Sequence, residues 1–250
     1  MTQPFDVAGF AARLCAARAA GHPITCLPEE EPPTEAEAYA VQHAVNEALG
    51  PIGGWKVGAG PDGRPSTAPL PASGIMPSPA VAPASFSDRL IEAEIAFTLT
   101  QDLPPRGVPY NRDEVIAAIG ACHAVIELVQ FRVPGTISAS PLLKIADHQG
   151  HGALIVGAAV PGWTEIDFPR FAVTQEIEGL PTKHGVGNPA GDMIRLIVWL
   201  ANEGSLWAGG LKAGQIVTCG SWTGATPAPP GSSVSVTFQG VAPVQLRFAP

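Results

Sequence analysis

The sequence has few charged residues and only four cysteines. Charged residues make up 14% of the chain and hydrophobic residues 46%, which argues against intrinsic disorder. The cysteines lie far apart, at positions 15, 26, 122 and 219, and form no Cys-x-x-Cys pair. This spacing argues against a disulfide framework or a zinc site. We interpret the four as small buried side chains in a reducing compartment, with the cytoplasm as the default.

The sequence lacks the signals that are typical of several functional classes. Lys and Arg total 14 against 22 Asp and Glu, with no basic stripe, so nucleic-acid binding is not expected. No apolar run approaches the ~20 residues of a membrane span. The first ten residues have no positively charged segment and include Asp6, so we expect no secretory signal. The nucleophile-elbow motif GxSxG and the phosphate-binding Walker A loop are also missing.

The 250 residues fit one large domain with a small appendage. Residues 1–50 have a helical pattern: Asp6 can cap a first helix, and Thr34 and Glu37 have the spacing of a capping box for a second. From residue 51 the residue pattern changes to short apolar runs separated by glycines and prolines. The sequence therefore predicts a helical N-terminal segment at 1–50, a larger domain at 51–250, and an α+β class.

Strands predominate in the predicted larger domain. Residues 60–85 are rich in Pro, Gly, Ser and Ala and predict a long loop. A capped helix is predicted at 111–122, beginning at Asn111 with Glu114, and another from near Pro189 to near Gly204. Predicted strands lie at 53–60, 89–99, 124–132, 154–160, 171–177, 215–221, 233–238 and 244–248.

The strand RLIEAEIAFTL at 89–99 carries two acidic residues on one face. Side chains alternate along a strand, so Glu92 and Glu94 point the same way, about 7 Å apart. If this face is exposed to solvent, the two carboxylates are simply hydrated. If it is buried, one carboxylate is protonated or a cation lies between them.

A third acid lies in a nearly unbroken apolar run. Glu127 is the middle of AVIELVQF, a pattern typical of a strand buried on both faces. A lone buried carboxylate is costly unless a Lys or Arg pairs with it or a metal binds it. If the two strands are neighbours, three carboxylates converge, and such oxygen ligands suit Mg²⁺, Mn²⁺ or Ca²⁺.

Basic and imidazole side chains add further candidates. Lys56 is the one charge in GGWKVGAG and is either a surface lysine or a group that binds an anion or moves a proton. His148 and His151 in ADHQGHG could bind a metal, although this spacing has low specificity without further ligands. His184 precedes a predicted helix and could line a pocket.

An ordered set of segments resembles the hydratase/decarboxylase branch of the fumarylacetoacetate hydrolase superfamily, whose members include hydratases of 2-oxopent-4-enoate and decarboxylases of 4-oxalocrotonate. The match covers most of the chain, although each segment by itself is weak. The segments are GWKVG (54–58), IEAEIAF (91–97), IEL (126–128), ADH (146–148), GNP (187–189), VWLAN (198–202) and LKAGQIVTCGSWTG (211–224).

The resemblance implies a mixed β-roll with flanking helices, preceded by a helical N-terminal segment. It implies a hydratase that adds water to a 2-hydroxy-2,4-dienoate in the breakdown of aromatic compounds, with Mg²⁺ or Mn²⁺ as Lewis acid. A homo-oligomer, and a complex with a sister enzyme of the same pathway, are further implications. The implied site residues are Glu92, Glu94 and Glu127 as metal ligands, Lys56 and Asp147 as catalytic residues, and His148, Gly220 and Ser221 at the substrate.

The chain departs from the pattern it resembles at three places. VGAG at 57–60 replaces the usual VGLT, Ala72-Ser73-Gly74 lacks an acid before the glycine, and His148 replaces an Asn. The alternatives are therefore a decarboxylase of the oxalocrotonate type, an acylpyruvate C–C hydrolase, and a catalytically idle subunit of a complex. PDGRPSTAPL at 61–70 has neither the His nor the Glu typical of the hydrolases, and three clustered acids without a cation would be costly in an idle protein.

Overall fold

The computed structural model of the chain describes residues 4–60, 62–134 and 140–249. Within these ranges, thirteen strands form two mixed sheets, accompanied by five α-helices, so the fold is a mixed α/β arrangement. The helices are α1 Val7–Ala20, α2 Glu35–Leu49, α3 Arg112–Ala118, α4 Pro141–Ala146 and α5 Met193–Trp199. The strands are β1 Ile52–Ala59, β2 Pro65–Pro71, β3 Ile75–Pro77, β4 Ala80–Ala82, β5 Leu90–Leu99, β6 Ile119–Val129, β7 His151–Ala159, β8 Ala172–Ile177, β9 Lys183–Val186, β10 Ile216–Ser221, β11 Thr226–Pro227, β12 Ser233–Phe238 and β13 Val244–Phe248.

Side-chain caps begin the helices at the residues that the sequence pattern indicates. Asp6 accepts a hydrogen bond from the Gly9 amide at 2.9 Å, and Thr34 caps α2 in the same way. Asn111 and Glu114 form a reciprocal capping box at α3. Each cap satisfies backbone amides that the first helical turn leaves without partners.

The N-terminal helices pack against α4 rather than forming a core of their own. An apolar cluster joins Leu14 of α1 and Val41 of α2 to Leu143 of α4. Gln42 is fully buried, and its side-chain amide donates to the carbonyls of Thr67 and Ile145. α2 therefore lies between the edge of the large sheet and the helix that follows β6. No helix in the described ranges is long and apolar enough to cross a membrane.

Strand β5 lies at the centre of the large sheet. The strand order is β2-β1-β10-β5-β6-β7-β3, with β11 paired to β5, and the smaller sheet has the order β4-β13-β12-β8-β9. One face of β5 carries Ile91, Ile95 and Phe97, which are fully buried in the main core. The opposite face of β5 carries the two glutamates, as the alternation of the sequence predicts.

Two sequence predictions are wrong in their bounds. The predicted loop at 60–85 contains β2, β3 and β4. Its prolines are tolerated because β2 is an edge strand, where a missing amide donor costs no ladder hydrogen bond. The predicted helix 111–122 ends at Ala118, because residues 119–122 pair with β5, with Ile119 opposite Leu99 and Cys122 opposite Phe97. Pairing with a central strand outweighs the local helical pattern.

Candidate active site

Three carboxylates converge on one face of the large sheet. β5 and β6 are antiparallel, and their register places Glu92 directly opposite Glu127. Glu94 follows two residues later on the same face. Glu94 and Glu127 are buried and Glu92 is half-buried. One oxygen of each side chain lies within 4.8 Å of the others, which is a spacing that one cation can bridge.

Within the described ranges, Glu127 uses one of its two carboxylate oxygens for protein contacts. Its Oε1 accepts a hydrogen bond from Lys56 Nζ at 2.8 Å and another from His151 Nδ1 at 3.1 Å. Its Oε2 is buried and has no hydrogen-bond partner among the described residues. A buried carboxylate oxygen without a partner is unfavourable, so Oε2 is the atom that a bound cation would satisfy.

Lys56 reaches the carboxylates across two intervening strands. β1 and β6 are separated by β10 and β5, so their backbones would be about 14 Å apart in a flat sheet. The 2.8 Å contact shows that Lys56 and Glu127 project from the same face of the sheet and extend toward each other.

Glu94 is held by the strand that lies between Lys56 and the carboxylates. Thr218 of β10 donates its hydroxyl to Glu94 Oε2, and the Gly220 amide donates to the same oxygen at 3.3 Å. Gly220 has a φ of 91°, a conformation that a glycine adopts without strain. The register places Ser221 opposite Glu94. Predicted residues 220 and 221 therefore lie beside a carboxylate of the cluster.

The charged groups in the cluster shift one another's pKa values. Burial, followed by repulsion from Glu127 and Glu92, raises the pKa of Glu94 to about 8. Burial by itself raises the pKa of Glu127, but Lys56 and His151 outweigh it, so this pKa lies below its ordinary value. Burial lowers the pKa of Lys56, but the three carboxylates outweigh it and keep the ammonium charged.

His151 is a neutral donor to Glu127. Burial lowers the pKa of His151 to about 4, although the Glu127 carboxylate opposes that shift. At neutral pH the ring therefore carries one hydrogen, and the Glu127 carboxylate, which can only accept, assigns that hydrogen to Nδ1. Among the described residues, the cluster with metal-ligand geometry contains the three glutamates and neither His148 nor His151. The His-x-x-His pair thus does not form a metal site by itself there, and His151 instead orients a carboxylate.

Asp147 and His148 lie behind the site. The Asp147 carboxylate accepts from Arg132 Nε and from the Arg132 backbone amide, both at 2.6 Å, and both residues are almost fully buried. Arg132 and Arg18 each donate to the backbone carbonyl of His151. His148 is fully buried, and neither ring nitrogen has a partner in the described part of the chain.

A strained turn connects these buried residues to Lys56. His148 and Gln149 have φ values of 50° and 51°, which non-glycine residues rarely adopt. The turn directs the Gln149 carbonyl at Lys56 Nζ, 3.2 Å away. No local sequence pattern marks Arg132 or Gln149 as part of this network. The arginine that pairs with a buried Asp is not recognisable from local spacing.

A cavity of about 470 Å³ opens over the cluster. Lys56 and Glu92 line it, whereas Asp147, His148, Gly220 and Ser221 are not among its lining residues. His184 is exposed on β9 and bonds Thr174, away from this cavity. A concave apolar site with a few charged groups is the usual form of a small-molecule site.

Comparison with known proteins finds both hydratases and decarboxylases that are similar to the chain. No family model matches the chain. It is 27% identical over 158 residues to 2-hydroxyhexa-2,4-dienoate hydratase from Comamonas testosteroni, which is 63% of this chain and 59% of that protein. It is 26% identical over 163 residues to 4-oxalocrotonate decarboxylase from Pseudomonas sp. strain CF600, again 63% of this chain and 59% of that protein. The matched region thus spans less than two thirds of the length of these relatives.

A solved structure matches the whole chain. 4-Oxalocrotonate decarboxylase from Pseudomonas putida G7, complexed with magnesium and adipate, has a TM-score of 0.85 and 25% identity, and the match covers 100% of this chain and 99% of the other. A fumarylacetoacetate hydrolase family protein from Yersinia pestis CO92 shares the fold, with a TM-score of 0.59 over 80% of this chain. The sequence is therefore similar to those of a dienoate hydratase and 4-oxalocrotonate decarboxylases, as the ordered motifs predicted, and the fold is shared with a protein of the fumarylacetoacetate hydrolase family.

Proposed function

We propose that the protein is a divalent-metal-dependent hydro-lyase that adds water to a 2-hydroxy-2,4-dienoate in the catabolism of aromatic compounds. The observation that carries the proposal is the cluster of Glu92, Glu94 and Glu127 beside Lys56, at a cavity of small-molecule size. The similarity to dienoate hydratases supports the same reaction class.

The proposed cofactor is Mg²⁺ or Mn²⁺, held by the three glutamates. Two features of the cluster fit this role. Glu127 Oε2 has no hydrogen-bond partner among the described residues, and the pKa of Glu94 is raised because the cluster holds more negative than positive charge. Oxygen-only donors also suit these hard cations. The decarboxylase from Pseudomonas putida G7 has been crystallised with magnesium and with calcium. When bound, the ion would supply Lewis acidity at the substrate's carboxylate and C2 oxygen.

Lys56 is assigned proton transfer at the substrate. Its Nζ is fixed by Glu127 Oε1 and the Gln149 carbonyl and lines the cavity, so one of its protons can face a bound dienoate. Addition of water places a hydroxyl on one carbon of a double bond and a hydrogen on the other. Lys56 can deliver a proton to the carbon chain and regain one from the attacking water.

The other predicted residues have supporting roles in this proposal. Gly220 and Ser221 are assigned to the metal-chelating end of the substrate, because both lie beside Glu94. Asp147 acts as a positioning residue, because it fixes Arg132, which in turn holds the backbone of His151. His148 would shape the turn that presents the Gln149 carbonyl to Lys56. Hydrogen bonds to the groups that orient metal ligands commonly tune such sites.

An ultraviolet assay of the purified protein with Mg²⁺ tests the proposal. The panel contains 2-hydroxypenta-2,4-dienoate, a longer dicarboxylate relative, oxalocrotonate and an acylpyruvate. We expect loss of dienol absorbance with at least one dienoate, and loss of this activity with a chelator. Activity on the acylpyruvate alone would replace the hydratase with a C–C hydrolase, and activity on none would refute the proposal.

Decarboxylation of an oxalocrotonate-type acid is the second candidate. It is favoured by the match of the complete fold to 4-oxalocrotonate decarboxylase. A divalent ion held at the substrate's C2 oxygen would stabilise the negative charge that develops when carbon dioxide departs. Carbon dioxide release, measured alongside dienol loss, separates the two reactions because hydration releases none.

We also propose the larger-scale features implied by the family resemblance. The large sheet is assigned to a mixed β-roll, with residues 1–50 as a helical N-terminal segment and 51–250 as the catalytic domain. The active form is assigned as a homo-oligomer, able to associate with a sister enzyme of its pathway. The four cysteines are free thiols, which fits the proposed cytoplasmic location.

A further inference from the structure

The cavity over the carboxylates has three cationic side chains in its walls, and two of them are already paired. They are Lys56, Arg64 and Lys144. Lys56 is bound to Glu127, as described above. Arg64 forms an ion pair with Glu35, with 2.9 Å between Nη2 and Oε2. These two charges are largely neutralised by the protein itself.

Lys144 differs from both of them. It lies on α4, in the last turn, and is half-buried. No side-chain hydrogen bond or ion pair to its ammonium is found in residues 4–60, 62–134 and 140–249. It is thus a cation of the cavity wall with no hydrogen-bonded or ion-paired partner among these residues, and its charge acts on Glu92 from beyond contact distance. A half-buried charge with no protein partner gains most from an ionic partner in the same cavity.

Lys144 reaches the cavity from a different element than the residues of the cluster. Lys56 and Glu92 lie on β1 and β5 of the large sheet, whereas Lys144 lies on α4. The apolar wall is formed by Val129, Phe131, Pro141, Leu142 and Ile145. A hydrocarbon chain fits against such a wall, whereas a charged group requires the lysine.

We infer that Lys144 is a specificity-determining residue that binds a second, terminal carboxylate, so that the preferred substrates are dicarboxylic 2-hydroxydienoates. This inference rests on the proposed function, because it takes the first carboxylate and C2 oxygen to be held at the glutamate cluster. The apolar wall then contacts the unsaturated chain. The terminal carboxylate meets the free ammonium in a partly desolvated site, where a charge-assisted hydrogen bond is strong.

Kinetics with a matched pair of six-carbon 2-hydroxydienoates test the inference. One substrate ends in a methyl group and the other in a carboxylate. We expect the wild type to favour the dicarboxylate at least tenfold in kcat/KM. Lys144→Gln is expected to reduce this preference at least tenfold, mainly through the KM of the dicarboxylate, and Lys144→Arg is expected to retain most of it.

The control variant is Lys212→Gln. Lys212 is a surface lysine that pairs with Asp102 at 3.4 Å and does not line the cavity, so its variant should keep the wild-type preference. If Lys144 acts only as a counter-charge for Glu92, Lys144→Gln would weaken Mg²⁺ binding and slow both substrates equally. That result, or an unchanged preference, would overturn the inference.

Binding of unreactive acids separates this inference from the proposed reaction. Titration calorimetry in Mg²⁺ compares adipate with hexanoate on the wild type and on Lys144→Gln. We expect adipate to bind at least tenfold more tightly than hexanoate, and only where Lys144 is present. If no dienoate reacts, the hydratase proposal fails, and the calorimetry still decides the role of Lys144. Equal binding of the two acids to the wild type refutes that role.

Discussion

Replacement of Glu94 by Gln should stabilise the metal-free protein and abolish its response to Mg²⁺. Glu94 is 1% exposed, and its pKa is raised to about 8 by burial and by repulsion from Glu127 and Glu92. A carboxyl group whose pKa is higher in the folded state opposes folding as the pH rises above its unfolded value. The cost is small below about pH 4.5, increases with pH, and is complete near pH 8.

The magnitude follows from the size of the shift. At pH 7 the unfolded Glu94 would be ionised, about 2.5 pH units above its ordinary pKa, at 1.36 kcal/mol per unit. The metal-free Glu94→Gln variant should therefore be more stable than the wild type by about 3 kcal/mol at pH 7 and by under about 1 kcal/mol at pH 5. Gln keeps the size of the side chain and can still accept from Thr218.

Urea unfolding in a chelating buffer at both pH values measures this difference. A parallel series with Mg²⁺ should raise the stability of the wild type through binding to the folded state and leave Glu94→Gln nearly unchanged. Glu165→Gln is the control, because it changes an acid outside the cluster. A variant no more stable than the wild type at pH 7, or one with the full response to Mg²⁺, would refute the electrostatic account of the site.

Three further predictions concern the neighbours of the cluster. Lys56→Met should lower the kcat for dienol consumption at least about 100-fold in steady-state kinetics, and calorimetry should still detect Mg²⁺ binding; a smaller loss would exclude Lys56 from proton transfer. His151→Phe removes the donor to Glu127 and should weaken Mg²⁺ binding about 10- to 100-fold by calorimetry, whereas unchanged affinity would mean that the ring does not orient the ligand. Arg132→Met leaves the buried Asp147 without its ion pair and should cost about 3 to 5 kcal/mol in urea unfolding; a neutral effect would mean that Asp147 is protonated in the folded protein.

The alternation along single strands was readable from the sequence. It placed Glu92 and Glu94 on one face of β5, and it marked Glu127 as an acid in a buried strand. Capping residues such as Asp6 and Asn111 fixed helix starts equally well. These features depend on residues two to four positions apart, so the local pattern contains the physical information.

Only the tertiary structure decided how the acids meet and which groups accompany them. Glu92 faces Glu127 because of the register between β5 and β6, and the contact of Lys56 with Glu127 joins residues 71 apart in the chain across two intervening strands. The contact of His151 with Glu127 and the pairing of Asp147 with Arg132 also result from strand order and packing. The same holds for the position of Lys144, whose ammonium has no contact partner in the described part of the chain. Contacts between distant residues depend on which strands become neighbours, and local spacing does not encode that choice.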